Sequence, residues 1–185
     1  MTELEKLLAG LPYDFTDSEI NQRKLMAIKK CEELNKTSIL DKQKRQTLIK
    51  ELLGSCGDAV NILPSFQCDY GKNIHIGNDF IMNFNGVILD IAPVYIGNHV
   101  MIGPNTMICT VNHPLDYQGR QNHLGIAKEI HIGDDVWIGG NCTILPGVTI
   151  GNRVVVAAGT VITKNIPDDS LVAGVPARII RKLND

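Results

Sequence analysis

At 185 residues, with 44% hydrophobic and 21% charged side chains, the chain has the composition of a soluble globular protein of one large domain, or one domain with a small appendage. A formal net charge of -2 argues against general nucleic-acid binding, which usually needs a basic face. No run of 18 apolar residues is present, so no membrane-spanning helix is expected. The first residues, Met1 to Lys6, carry two glutamates where an export signal needs a basic and then an apolar stretch. The five cysteines (Cys31, Cys56, Cys68, Cys109 and Cys142) include no CxxC pair and are odd in number, the pattern of free thiols in a reducing compartment. A cytoplasmic protein is expected.

Residues 1–57 are rich in Lys and Glu and predict a small helical region. Leu4, Leu7 and Leu8 form a short apolar stripe ending at Gly10. After a turn at Leu11-Pro12, Asp17 or Ser18 can cap a helix running to about Asn35, with Ile20, Leu25, Ile28 and Leu34 on one face. Ser38, with Asp41 three residues on, reads as a capping-box variant for a third helix carrying Leu48, Ile49, Leu52 and Leu53 and stopping near Gly54 or Gly57. These helices are too short and one-sided to fold alone. They are expected to cover the open end of a repetitive region that begins after residue 57.

From residue 58 to about 170 an apolar residue returns every six positions. A first phase holds Ile76, Met82, Ile88 and Val94. The phase shifts by two near Ile91-Ala92-Pro93. It resumes at Ile96, Ile102 and Ile108, then at Ile132, Ile138, Ile144, Ile150, Val156 and Ile162. In the second phase a small or β-branched residue recurs four positions on, at Val100, Thr106, Val136, Cys142, Val148, Val154, Thr160 and Ile166. A period of six fits neither an amphipathic helix nor an ordinary sheet. It predicts a β-solenoid of short strands and tight turns, with the phase residues lining a narrow shaft. The 5% aromatic content suits such a shaft, and Cys109 and Cys142 read as small fillers within it. Three hexads per triangular turn give 18-residue coils rising about 4.8 Å each, roughly five in all.

Between Ile108 and Ile132 the phase is kept across 24 residues, yet residues 111–128 carry Pro, Gly, Asn and Gln and no clean repeat. This segment reads as a loop thrown out of the prism, a usual place for function on a rigid scaffold. Residues 171–185 form an apolar tail with a basic edge, expected to pack on the prism.

The repeat, the loop beginning Val111-Asn112-His113-Pro114, the segment Asn83-Phe84-Asn85, the run from Val136 to Gly140 and the tail Gly174-Val175-Pro176-Ala177-Arg178 together resemble the hexapeptide acyltransferases. The similarity is strongest to the maltose and galactoside O-acetyltransferase branch, and it spans nearly the whole chain, including the N-terminal helices. It implies a mainly β fold, a left-handed parallel β-helix, assembled as a homotrimer with active sites at the subunit interfaces. It implies acetyl-CoA as donor, a sugar hydroxyl as acceptor, direct transfer, and no metal.

The resemblance makes His113 the catalytic base. O-acetylation needs a hydroxyl of very high pKa to attack a thioester. Imidazole, half-protonated near pH 6.5 in free peptides, can take that proton at physiological pH. Asn83 matches the position that contacts the acceptor near its reacting hydroxyl, and an amide can both donate and accept there. For Asn83 the structural alternative is an asparagine ladder along the solenoid, and Asn85 is an alternative for the same task. Asp69 stands where the family places a small polar acceptor contact, and Asp17 can reach the same pocket. Ile91 replaces an acidic residue of the galactoside enzymes, which argues against a galactoside preference.

By the same match Gly140, Ala158, Thr163 and Lys164 line the pantetheine groove, and Lys164, Arg178 and Arg181 meet the nucleotide phosphates. Trp137 would flank the acetyl end or pack at an interface. His75, His99, His123 and His131 receive no role; His75 and His131 precede Ile-Gly and should face outward. The zinc-dependent β-helix carbonic anhydrases need two closely spaced histidines, and His123 and His131 are eight apart. A scaffold without activity, and an antibiotic hydroxyl or an amine as acceptor, are the remaining alternatives.

Overall fold

The computed structural model describes residues 1–183. Helix α1 (Glu3–Leu8) starts at a complete capping box between Thr2 and Glu5. Helix α2 (Ser18–Lys36) starts at Asp17, whose carboxylate accepts from the N–H groups of Glu19 and Ile20. Helix α3 (Lys42–Leu52) is capped by Asp41, which accepts from Lys44 N–H; Ser38, the expected cap, lies in the preceding turn and accepts from Leu40 N–H. The helix ends on Leu53 rather than on a glycine.

The buried face of α2 is Ile20, Ala27, Cys31 and Leu34, while Leu25 and Ile28, expected inside, are exposed. Small residues face inward because the helix lies close against the strand Gln67–Cys68. Ala27, Cys31, Leu34, Leu48, Ile49 and Leu52 join the same apolar cluster as the shaft, so the helices close its end. Arg45 is the buried hub of this cap. Its guanidinium donates to the carbonyls of Leu34 and Thr37 on the helical side and of Ile62 in the first coil.

The solenoid has three flat faces of parallel strands. The first face stacks Ser55–Cys56, Ile74–Ile76, Val94–Ile96, Ile130–Ile132 and Thr149–Ile150. The second stacks Val60–Ile62, Phe80–Met82, Met101–Ile102, Trp137–Ile138, Val155–Val156 and Ser170–Ala173. The third stacks Gln67–Cys68, Val87–Leu89, Met107–Cys109, Thr143–Ile144 and Val161–Ile162. That is five full coils and the start of a sixth. The phase residues are all buried, and so are the residues four positions after them except Asn98 and Asn112, which follow the two breaks in the phase, so each regular hexad sends two side chains inward. The C-terminal tail turns back as a strand, Arg178–Lys182, antiparallel to Ser170–Ala173.

Coil length is not uniform. His131 pairs with Thr149, eighteen residues on, as the hexad predicts. Ser55 pairs with His75, and His75 with Tyr95, each twenty apart. Tyr95 pairs with His131, thirty-six apart, which is one coil plus an eighteen-residue excursion. The two-residue additions lie at 69–73 and 90–93, and the excursion comes after Cys109. All three leave the third face and enter the first. Insertions stacked at one corner leave every strand ladder intact, and that corner carries the irregular structure.

The corner between first and second faces is a ladder. Asp58, Asn78, Asn98, Asp134 and Asn152 each donate a backbone N–H to the side-chain oxygen one coil on, ending at Asp168. The residue after each rung, Asp79, His99, Asp135 or Arg153 for example, has positive φ. No helix among the described residues is long and apolar enough to cross a membrane.

Candidate active site

The excursion is ordered. Val111–Asn112 pairs antiparallel with Leu124–Ala127, which pairs on its other edge with Tyr13–Asp14 from the N-terminal region. Gly125 is needed there: a Cβ would lie 2.8 Å from the Tyr13 ring. Between the two excursion strands a helical turn, α4 (Tyr117–Gln121), is capped by Asp116. Arg120 donates to the carbonyls of Pro114, Leu115 and Asp116 at 3.0, 2.6 and 3.2 Å, which closes the turn after His113.

His113 is exposed at the end of the first excursion strand. Its Nδ1 lies 3.0 Å from the carbonyl oxygen of Leu124. A carbonyl only accepts, so Nδ1 carries the hydrogen, and in the neutral ring the lone pair is then on Nε2. Phe15 packs edge-on against the imidazole, centroids 5.1 Å apart at 75°, and against His123 at 5.5 Å. Sequence reasoning missed both Phe15 and Leu124. A pairing across ninety-eight residues leaves no local signal.

Asp69 sits half-buried at the same corner, and burial pushes its carboxyl above the ordinary aspartate range. Beneath it, Asp90 is fully buried. Its carboxylate accepts from the N–H groups of Asp69, Tyr70 and Asn73 at 3.0, 2.9 and 3.3 Å, and so staples the two lengthened corners together. Ile91 comes next, in a cleft beneath α1 and α2, beside Tyr70 and Asn73. Asp17, two residues beyond Phe15, has its carboxylate engaged as the α2 cap.

Burial is the largest influence on Asp90 and pushes its pKa up to about 6, against the opposing pull of the Tyr70 N–H. A pKa raised on folding means the native state holds the proton more tightly. The stability linked to Asp90 is therefore fully present below about pH 4 and lost as pH rises through about 6. Two units correspond to about 3 kcal/mol. Between pH 4.5 and 7.5, at fixed protein concentration, the melting temperature of the wild type should fall relative to that of Asp90→Asn, which cannot ionise. A difference between the two proteins that does not change with pH would contradict this.

A second set of residues gathers elsewhere. Asn83, Gly103, Pro104, Trp137, Gly140 and Ala158 line a groove of about 510 Å³ along the second face and its corner with the third. Gly139 shapes it, since a Cβ there would lie 2.6 Å from Ala158 N of the next coil. Asn83 Oδ1 accepts from Phe84 N–H, whereas Asn85, with positive φ, donates to Asn105 Oδ1 one coil on. Asn85 is thus a rung of an asparagine ladder. Arg178 and Arg181 are exposed on the last strand, where Arg181 pairs with Leu171 of the groove wall. Thr163 and Lys164 stand apart from this groove. They leave the third face at the corner that also carries His113, and both are exposed.

One chain thus brings together Trp137, Gly140, Ala158 and Asn83 on one side, and His113, Phe15 and Asp69 on another. Among the described residues no cluster of three or more His, Cys, Asp or Glu side chains is arranged to hold a metal ion.

Comparison with known proteins agrees with this anatomy. Residues 6–57 match the maltose acetyltransferase hexapeptide capping motif, and residues 129–164 match the bacterial transferase hexapeptide (six repeats). The chain is 37% identical to the galactoside O-acetyltransferase of Escherichia coli over 185 residues, 100% of this chain and 91% of that protein. A maltose O-acetyltransferase from Clostridium difficile superposes with a TM-score of 0.97 at 39% identity, covering 100% of this chain and 99% of that one. A hexapeptide-repeat acetyltransferase from Vibrio cholerae, solved with acetyl-CoA, superposes with a TM-score of 0.89 at 47% identity over the full length of both chains. The cap of three helices, the hexad solenoid and the histidine-bearing excursion therefore belong to a member of the maltose and galactoside O-acetyltransferase family of hexapeptide-repeat acetyltransferases.

Proposed function

We propose that the protein transfers the acetyl group of acetyl-CoA to a sugar hydroxyl, with His113 as general base. The observation that carries this is the His113–Leu124 hydrogen bond, which leaves Nε2 as a free base on an exposed loop. Acetyl-CoA supplies the acetyl group as a thioester, and CoA leaves with the sulfur. The groove suits a thin, flexible arm: Gly140 and Ala158 leave room for close approach, and Trp137 offers an exposed apolar surface. Arg178, Arg181 and Lys164 are the exposed cations available to its phosphates. His113 Nε2 takes the hydroxyl proton as the sugar oxygen forms its bond to the acetyl carbon. Asn83 orients that hydroxyl, and Asp69 contacts the rest of the sugar.

The active unit is a homotrimer in this reading. On the second face the outward residues after Asn61, namely Ile81, Met101, Trp137, Val155 and Leu171, stack into an apolar column. Those of the third after Gln67, namely Val87, Met107, Thr143 and Val161, are also mostly apolar. Those of the first, Ser55, His75, Tyr95, His131 and Thr149, are polar or aromatic. Packing the second face of one chain on the third face of the next around a threefold axis buries both apolar columns. It also brings the His113 corner, with Thr163 and Lys164, to the neighbour's groove and Asn83.

The test is chromatographic measurement of free CoA released from acetyl-CoA with maltose, glucose, galactosides and chitin fragments as acceptors. At least one sugar should raise release well above the acceptor-free rate. Binding of acetyl-CoA without stimulation by any sugar would make the acceptor class wrong. Failure to bind acetyl-CoA would remove the transferase reading.

A further inference from the structure

We propose that Phe15 is a positioning residue for His113, which gives the N-terminal region a task in the reaction besides closing the solenoid. This rests on His113 being the base. The imidazole is exposed and has one hydrogen bond, from Nδ1 to Leu124 O. One hydrogen bond selects a tautomer only while it is made, and by itself leaves an exposed ring free to rock and to exchange into rotamers that break it. A second contact on another side of the ring is needed to aim Nε2, and Phe15 supplies it, edge-on at 5.1 Å.

Phe15 is itself held. Its N–H donates to His123 O at 2.9 Å, and the two residues before it pair with Leu124 and Gly125. Its ring is wedged between His113 and His123. The strand that accepts the His113 hydrogen bond is therefore the strand that holds Phe15. The base, its acceptor and its flanking ring belong to one three-stranded sheet. Displacing Tyr13–Asp14 would loosen both constraints at once.

The experiment compares Phe15→Leu and Phe15→Tyr with the wild type, after melting curves show that all three fold. Phe15→Leu keeps an apolar side chain but loses the aromatic edge. Its kcat for sugar-dependent CoA release should fall about three- to tenfold, the worth of one aromatic pair. Its KM for acetyl-CoA should not move, because the Phe15 ring packs on His113 and His123 and is not among the residues that line the groove. Phe15→Tyr should recover most of the lost rate. Wild-type kcat in Phe15→Leu, or a parallel loss in both variants with a raised KM, would overturn the proposal.

A readout independent of any acceptor is the tautomer of His113 by nitrogen-15 NMR of the imidazole. The wild type should be Nδ1–H and Phe15→Leu a mixture. An unchanged tautomer and line width in Phe15→Leu would overturn the positioning role even if no sugar were ever found to react. Conversely, a wild type with the expected tautomer and no sugar-dependent release would count against the acceptor and leave this result standing.

Discussion

His113→Ala is expected to lower kcat for sugar-dependent CoA release at least about a hundredfold, within the range that general-base catalysis contributes. The substitution removes the lone pair that the Leu124 hydrogen bond leaves on Nε2. It touches nothing in the groove formed by Asn83, Trp137, Gly140 and Ala158. KM for acetyl-CoA should therefore stay within about twofold of wild type, because only an interaction made in the transition state is lost. His123 is the internal control. It shares Phe15 with His113 and lies in the same excursion, but its backbone, with positive φ, turns the chain after α4. His123→Ala should retain most of the activity. A loss below about tenfold in His113→Ala, or a larger loss in His123→Ala, would move the base elsewhere.

The second large effect is complementation between inactive chains. His113 and Asn83 lie on different sides of one prism, and the proposed packing joins them only across an interface. Asn83→Ala alone should cost about a hundredfold, the worth of one preorganised hydrogen-bonding group at the reacting centre. If the two variants are unfolded together at equal concentration and refolded, trimers assort at random. Each interface then has a one-in-four chance of drawing His113 from an Asn83→Ala chain and Asn83 from a His113→Ala chain. Activity should recover to about 25% of wild type. A site built within one chain predicts no recovery, since every chain carries one defect. Mixing without unfolding should recover nothing if the trimer does not exchange, which separates reassortment from contamination.

The shaft was legible because its constraint is local and repeated. Each hexad must send its phase residue inward, whatever the rest of the chain does. Ile76, Met82 and Ile88 in the early coils and Ile132 to Ile162 in the late ones are buried as the spacing predicts. The lengthened corner at Ile91-Ala92-Pro93 was legible too, as a break in that spacing; its counterpart at 69–73 was hidden in the ragged first coil. The face of α2 was not. Large side chains at Leu25 and Ile28 weigh as core in the sequence, whereas close packing on the coil selects Ala27 and Cys31.

The excursion holds two histidines, and only the resemblance singled out His113 as the candidate base and named the groove residues. What the chain order could not express is which side chains meet. Phe15 reaches His113 through a three-stranded sheet that joins the N-terminal region to the excursion. Asp90 acts through backbone N–H groups a coil away, and Arg45 through carbonyls of two different elements. Thr163 and Lys164 separate from Trp137 and Gly140 because the prism has corners. A period of six determines the scaffold from sequence alone, since burial repeats with it. His113, Phe15 and Asp69 gather where that period is interrupted, and there only tertiary contacts decide the geometry.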